Sequence, residues 1–217
     1  MASPSLFGVL PEDERRALVT TARRRRFQRR DTVFHEGDPG ETLHVIVSGL
    51  VSIRVTTPLG DIVTLTVLGP EECFGELAAI GHGALRSASA VATTALETLS
   101  IGRAQLDELR ARLPGVDRFL IEVLAQQVRR LDEHLLEALY VAADKRILRR
   151  LLLLRDICGD DDQVALPFTQ EEIASMAGTT RPTVNRVLTH LREEGLVELG
   201  RGHITVMDRA ALEHLAR

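Results

Sequence analysis

Only two cysteines, Cys73 and Cys158, occur in the 217 residues, far apart and without a CxxC partner. That count excludes a disulfide framework or a zinc knuckle and fits a reducing cytoplasm. No apolar run approaches the roughly 20 residues that cross a bilayer, so no membrane partner is expected. The opening Met1-Ala2-Ser3-Pro4 lacks a basic segment followed by an apolar core, so no secretory signal is expected either. An excess of positive charge is also missing: 27 Lys and Arg stand against 31 Asp and Glu, a net charge of −4. The whole chain therefore does not advertise a polyanionic partner, although its charges are unevenly spread. Between Glu172 and Glu193 there is no acidic residue, while Arg181, Arg186 and Arg192 all fall there. No nucleophile–base pair, metal-ligand spacing or Walker-type loop is present, so an enzyme is not expected. Internal repeats and low-complexity segments are absent as well.

What is there has the profile of a folded protein, with 44% hydrophobic and 27% charged residues. A short helix is expected from Arg15 to Ala22, after Pro11-Glu12-Asp13-Glu14. Turn punctuation at Glu36-Gly37-Asp38-Pro39-Gly40-Glu41 then introduces a series of short β-branched runs. These are residues 43–48, 50–55, 62–68, 89–93 and 95–101, with Pro58-Leu59-Gly60-Asp61 as a hairpin tip. Strands at this spacing predict a β-barrel or jelly roll of about 100 residues. The dense run Arg23-Arg24-Arg25-Arg26-Phe27-Gln28-Arg29-Arg30 reads as a solvated edge leading into the first strand, with a nucleic-acid patch as the alternative.

From Pro114 the period changes to seven. Ile121, Val128, Leu135 and Ala142, with Leu124, Leu131 and Ala138 between them, form an unbroken apolar seam. Such a seam suits a two-stranded coiled coil and hence a homodimer. The plainer alternative is a helix packed on its own β-domain, but a stripe roughly 30 Å long exceeds what one small barrel covers. A break is expected near residues 141–144, with a further helix from Lys145 to Ile157.

Thr169, followed three residues later by Glu172, has the form of a capping box, and Ile173, Met176 and Ala177 supply a short buried stripe. Gly178 can end that helix in a left-handed conformation. Thr179 and Thr180 open the next helix, Pro182 fits its first turn, and Val184, Val187, Leu188 and Leu191 face inward. Two short helices around a glycine turn let the second enter a groove about 12 Å wide. Its outward face shows Arg181, Pro182, Asn185, Arg186 and Thr189; arginine can fork onto guanine and asparagine onto adenine. Residues 195–206 read as two strands around a glycine-rich tip that carries Arg201, a wing. Thr169, Thr179, Thr180 and Thr183 complete the expected DNA-contacting set.

Phe74-Gly75-Glu76-Leu77-Ala78 and Leu85-Arg86-Ser87-Ala88-Ser89-Ala90-Val91 resemble the phosphate-binding cassette of the CRP/FNR family, in its cyclic-AMP receptor branch. Thr169-Gln170-Glu171-Glu172-Ile173-Ala174 and Arg181-Pro182-Thr183-Val184-Asn185-Arg186 match the same family's DNA-reading segment, in the family's order and spacing. The resemblance spans nearly the whole chain. It implies an α+β fold: a β-roll (jelly-roll) sensor over residues 1–115, a dimerisation helix over 116–141 and a winged helix-turn-helix over 142–217. It also implies a cyclic nucleotide, cAMP first, as a dissociable effector with no obligatory cofactor and no metal. The expected contacts are Gly75, Glu76, Leu77, Arg86, Ser87 and Ala88, with Arg86 forking onto the phosphate and Glu76 accepting from the ribose 2′-hydroxyl while pairing with Arg86. Arg130 and His134 are the candidates from the long helix. Where the branch offers a Thr-Ser pair to the adenine, this chain has His134 and Leu135; the leucine offers no hydrogen bond. The family's iron–sulfur branch needs a cysteine cluster that is missing. Cys73 and His82 stand near the pocket as haem-ligand types, with structural roles favoured; His35 and His44 lack metal-ligand spacing.

The function so implied is a cytoplasmic, homodimeric transcription regulator reading a palindromic operator on double-stranded DNA, with RNA polymerase as a possible partner. The alternatives are a regulator that needs no effector or takes another ligand, and a nucleotide module acting only through protein partners.

Overall fold

The computed structural model describes residues 4–81 and 83–217; Met1 to Ser3 and His82 lie outside the described residues. The fold class matches the expectation, α+β with a β-roll, a long helix and a winged helix-turn-helix. The chain divides into two compact units, residues 1–55 with 68–131 and residues 56–67 with 132–217. That division falls within the long helix.

The first unit begins with helices α1 (Leu6–Val9) and α2 (Glu12–Thr21). The arginine run, expected as a solvated lead-in, is itself the first strand, β1 (Arg23–Phe27), antiparallel to β8 (Leu96–Gly102). Strand pairing wins because Arg24 and Arg26 share one acidic neighbour on β8, Glu97, with Arg26 Nε 2.9 Å from it. Strands β2 (Thr32–Phe34), β3 (Thr42–Ser48), β4 (Val51–Thr56), β5 (Ile62–Leu68), β6 (Cys73–Phe74) and β7 (Ser89–Ala92) complete two four-stranded sheets, ordered β1-β8-β3-β6 and β2-β7-β4-β5. The alternation of side chains along β3 splits the core in two. Leu43 and Val45 join Leu99 and Ile101 of β8 beneath a helical layer. That layer is α1, α2, α4 (Arg103–Arg112) and the start of α5 (Pro114–Tyr140), contributing Leu6, Leu18, Leu106, Val116, Phe119 and Val123. Ile46, Phe74, Ala90 and Leu96 fill the roll interior. Between β6 and β7 lies the short helix α3 (Glu76–Ile80).

The break after Tyr140 and the next helix, α6 (Ala143–Cys158), fall close to where the sequence places them. The second unit then adds β9 (Val164–Leu166), α7 (Gln170–Ala177), α8 (Arg181–Glu193), β10 (Val197–Gly200), β11 (His203–Val206) and α9 (Arg209–Ala216). The expected two-stranded wing is thus a three-stranded sheet, β10-β11-β9. Its core is Ile147, Leu151, Leu154, Phe168, Ile173, Val184, Leu188, Leu191, Ile204 and Leu212, each 2% exposed or less.

Candidate functional sites in the β-roll and the recognition helix

The β-roll site is built around a buried cation. Arg86 is 5% exposed, an uncommon position for a guanidinium unless something repays its lost hydration. Its Nη1 donates to the Gly75 carbonyl at 2.9 Å and its Nη2 to Thr42 Oγ1 at 2.7 Å. Its guanidinium carbon sits 4.0 Å from the centre of the Phe34 ring, a cation–π contact. Nε has no hydrogen-bond partner among the described residues. Burial depresses the guanidinium pKa, while the carboxylates of Glu76 and Asp38 act in the opposite direction.

Two glycines make this arrangement possible. Gly75 has φ +81°, and a Cβ there would meet Arg86 Nη1 at 2.5 Å. At Gly40 a Cβ would meet Ala78 Cβ at 2.2 Å and Arg86 Nε at 3.1 Å. Glu76, 3% exposed, does not bond the guanidinium; its Oε1 accepts from Gln127 Nε2 of α5 at 2.7 Å. One turn on, Arg130 Nη2 lies 2.8 Å from Glu72. Leu68, Glu72, Cys73, Val123, Gln127 and Arg130 line a small cavity beside these pairs. Leu77 and Ser87 are exposed at the rim and Ala88 is buried. His134 is placed elsewhere: its Nε2 is 2.8 Å from Arg150 Nη1 of α6, so it accepts there and carries its proton on Nδ1. Leu135 is 59% exposed. Cys73 is buried, and burial raises its thiol pKa beyond the range of thiolate chemistry. Sequence reasoning missed Thr42, Phe34 and Gly40; the only signal for Thr42 was its phase with His44 on β3.

The second site is the helix-turn-helix. Thr169 Oγ1 accepts from the Glu172 amide and the Glu172 carboxylate accepts from the Thr169 amide, the expected capping box. Thr169 is therefore committed to the cap. Gly178 ends α7 with φ +58°, and Thr180 caps α8 through the Thr183 amide. Val184, Val187, Leu188 and Leu191 are buried, and Arg181, Pro182, Asn185 and Arg186 are exposed on the opposite face. Thr179, Thr183 and Thr189 are half-buried beside them, and Arg201 is exposed at the wing tip. Arg186 is paired with Asp144 at the start of α6, 2.8 Å away. Sequence reasoning missed that partner. Arg146 braces the turn, donating to the carbonyls of Ala177, Gly178 and Val141 at 2.8, 2.9 and 2.8 Å.

A cyclic nucleotide-binding domain family matches residues 24–112, and a Crp-like helix-turn-helix domain family matches residues 145–215. The cyclic AMP receptor protein of Thermus thermophilus is 39% identical over 215 residues, covering 99% of this chain and 97% of that protein. The chain belongs to the CRP/FNR family of transcription regulators. A CRP-like cAMP-activated global transcriptional regulator of Mycobacterium tuberculosis is 34% identical over 195 residues, covering 88% of this chain and 87% of its own. Among solved structures, a CRP-family transcriptional regulator from Thermus thermophilus superposes with a TM-score of 0.75 at 30% identity, covering 88% and 96% of the two chains. The CRP/FNR regulator described here is thus a DNA-binding protein, not an enzyme. Helix α8 is the second helix of its Crp-like helix-turn-helix domain, and its roll is a cyclic nucleotide-binding domain. No described helix is long and apolar enough to cross a membrane.

Proposed function

We propose that this regulator is a cytoplasmic homodimer whose β-roll takes cAMP at Arg86, and that the bound nucleotide sets how two recognition helices engage a palindromic operator. The observation that carries the effector reading is the desolvated guanidinium with an orphaned Nε, approached over two glycines with no room for a Cβ. A singly charged cyclic phosphate supplies the missing acceptor and the counter-charge together. Gly75, Glu76, Leu77, Ser87 and Ala88 frame it, and Glu76 presents a carboxylate to the ribose 2′-hydroxyl. Gln127 and Arg130 stand at the end of the cavity nearer α5; a role for His134 requires its bond to Arg150 to give way. The relatives named for cyclic AMP support this nucleotide over others.

Dimerisation is supported by the α5 stripe, where Ile121, Val128, Leu131, Leu135 and Leu139 are each at least 57% exposed in the single chain. A monomer rarely leaves so long an apolar row in water. With two copies, recognition helices about 34 Å apart would match successive major grooves. At the operator, Arg181 and Arg186 fork onto guanines, Asn185 reads adenine, and Thr180 and Arg201 meet phosphates. A docking surface for RNA polymerase belongs to the same proposal.

Calorimetry with cyclic AMP, and cyclic GMP beside it, tests the effector. Saturable heat with cyclic AMP, abolished by Arg86→Leu in a variant of unchanged circular dichroism, is the expected result. A folded dimer that gives no heat with either nucleotide overturns it.

A further inference from the structure

Arg86 does not hold its position alone. Thr42 and His44 stand two residues apart on β3, so their side chains share the interior face of the roll. Thr42 Oγ1 is 3.1 Å from His44 Nε2, and His44 Nδ1 is 3.2 Å from Thr98 Oγ1 on β8. The arginine end fixes the first of the three directions. A guanidinium only donates, so Thr42 Oγ1 accepts from Arg86 Nη2 and its own proton is free for His44 Nε2. Where that proton is given to Nε2, Nε2 is the bare nitrogen and Nδ1–H donates to Thr98 Oγ1; the opposite tautomer would use the second lone pair of Thr42 instead. His44 is 4% exposed and stacks on Phe74 with ring centres 5.0 Å apart and planes 13° apart, which holds the plane of the imidazole. Burial, then the charges of Arg86 and Arg25, lower its pKa to about 3, which favours the neutral ring at neutral pH.

We propose that His44 is a positioning residue for the effector site: as the Nδ1–H tautomer it orients the Thr42 hydroxyl, which in turn fixes the plane of the Arg86 guanidinium that meets the anionic ligand. The inference rests on the assignment of Arg86 as the ligand's cation. It adds a residue with no ligand contact of its own, placed behind the site by the β3 register. A neutral imidazole suits this place, because a second cation would repel Arg86 and a purely apolar ring would leave the Thr42 proton undirected.

The test has one arm that needs no ligand. In nitrogen-15 spectra of the full-length protein, His44 should show a protonated Nδ1 and bare Nε2, and Arg86 should show separate Nη signals because its guanidinium cannot rotate. His44→Phe keeps ring volume and stacking but removes both hydrogen bonds, and should merge the Arg86 Nη signals. His44→Gln, with an acceptor for Thr42 and a donor for Thr98, should restore them. In the second arm, calorimetry with cyclic AMP should show His44→Phe weakened roughly three- to tenfold, with His44→Gln close to the parent. If His44→Phe does not fold, Thr98→Val, which removes only the far hydroxyl, takes its place. A parent that shows the Arg86 signature but binds no cyclic AMP leaves the relay standing and removes the nucleotide reading. Unchanged Arg86 signals and affinity in His44→Phe, or a proton on Nε2, overturn the relay.

Discussion

A buried imidazole makes the roll sensitive to acid. His44 titrates near 6.5 when unfolded and at about 3 when folded, so between those values the unfolded chain holds one more proton than the native one. Stability therefore rises with pH across that window, and this contribution is complete above pH 6.5. On acidification it is lost at about 1.4 kcal/mol per pH unit as an upper slope. Denaturant titrations at pH 7 and pH 5 should show a lower midpoint at pH 5, and His44→Gln should flatten that difference. Equal slopes in the two proteins would assign the acid sensitivity to other groups. Gly75 makes a second prediction at this scale. Alanine there meets a left-handed backbone and a 2.5 Å approach to Arg86, so Gly75→Ala should destabilise the roll by about 1–3 kcal/mol and reduce cyclic AMP affinity in parallel.

At the level of elements, α8 carries the prediction. Arg186 must leave Asp144 to reach a guanine, whereas Arg181 has no salt bridge to break among the described residues. Arg181→Ala should therefore lower operator affinity by about 1–3 kcal/mol and relax the preference at one base pair. Arg186→Ala should cost somewhat less, because the exchanged ion pair is exposed and weak. Pro182, between them, has no acceptor for a cytosine amino group. Binding-site selection should return reduced stringency at that base, restored in Pro182→Glu; full stringency in the parent would refute this.

The same elements show what could be read from sequence. The capping box at Thr169, the glycine at 178 and the inward stripe of α8 are local chemistry, and the structure has them at those residues. The arginine run was harder to read. Its strand conformation depends on Glu97, some seventy residues away on β8, and no local pattern announces that pairing. The third wing strand, β9, was missed for the same reason: three residues extend only because β11 is beside them. At the sensor, the Gly75–Glu76 and Arg86 segments were legible as a motif. The bonds that orient Arg86 were not, since Thr42, Phe34 and Gly40 converge only once the roll closes. The contact of His134 with Arg150 was not legible either, because helix periodicity gives a residue's face but not its neighbour.

For the whole molecule, the exposed apolar row on α5 is the decisive feature. Leu131→Glu with Leu135→Glu would bring like charges together along a two-stranded seam. Sedimentation should report a dimer for the parent and a monomer for this double variant, which should bind a single half-site weakly while each unit keeps its fold. A monomeric parent at micromolar concentration would count against the seam. The salt dependence of operator binding offers a parallel measure, since halving the number of phosphate contacts should roughly halve its slope.

Strand β1 has a consequence for life in a crowded cell. It lies at the border of its sheet, where unpaired backbone amides and carbonyls invite another chain to add a strand. Four successive arginines along that border mean that any second β1 laid beside it would meet a wall of like charge, of which Glu97 neutralises only part. A regulator proposed to associate through the apolar row of α5 must still refuse association everywhere else. The arginine border gives the roll a side on which copies repel, and replacing Arg23 and Arg25 with threonine should show itself as turbidity on storage rather than as any loss of DNA binding.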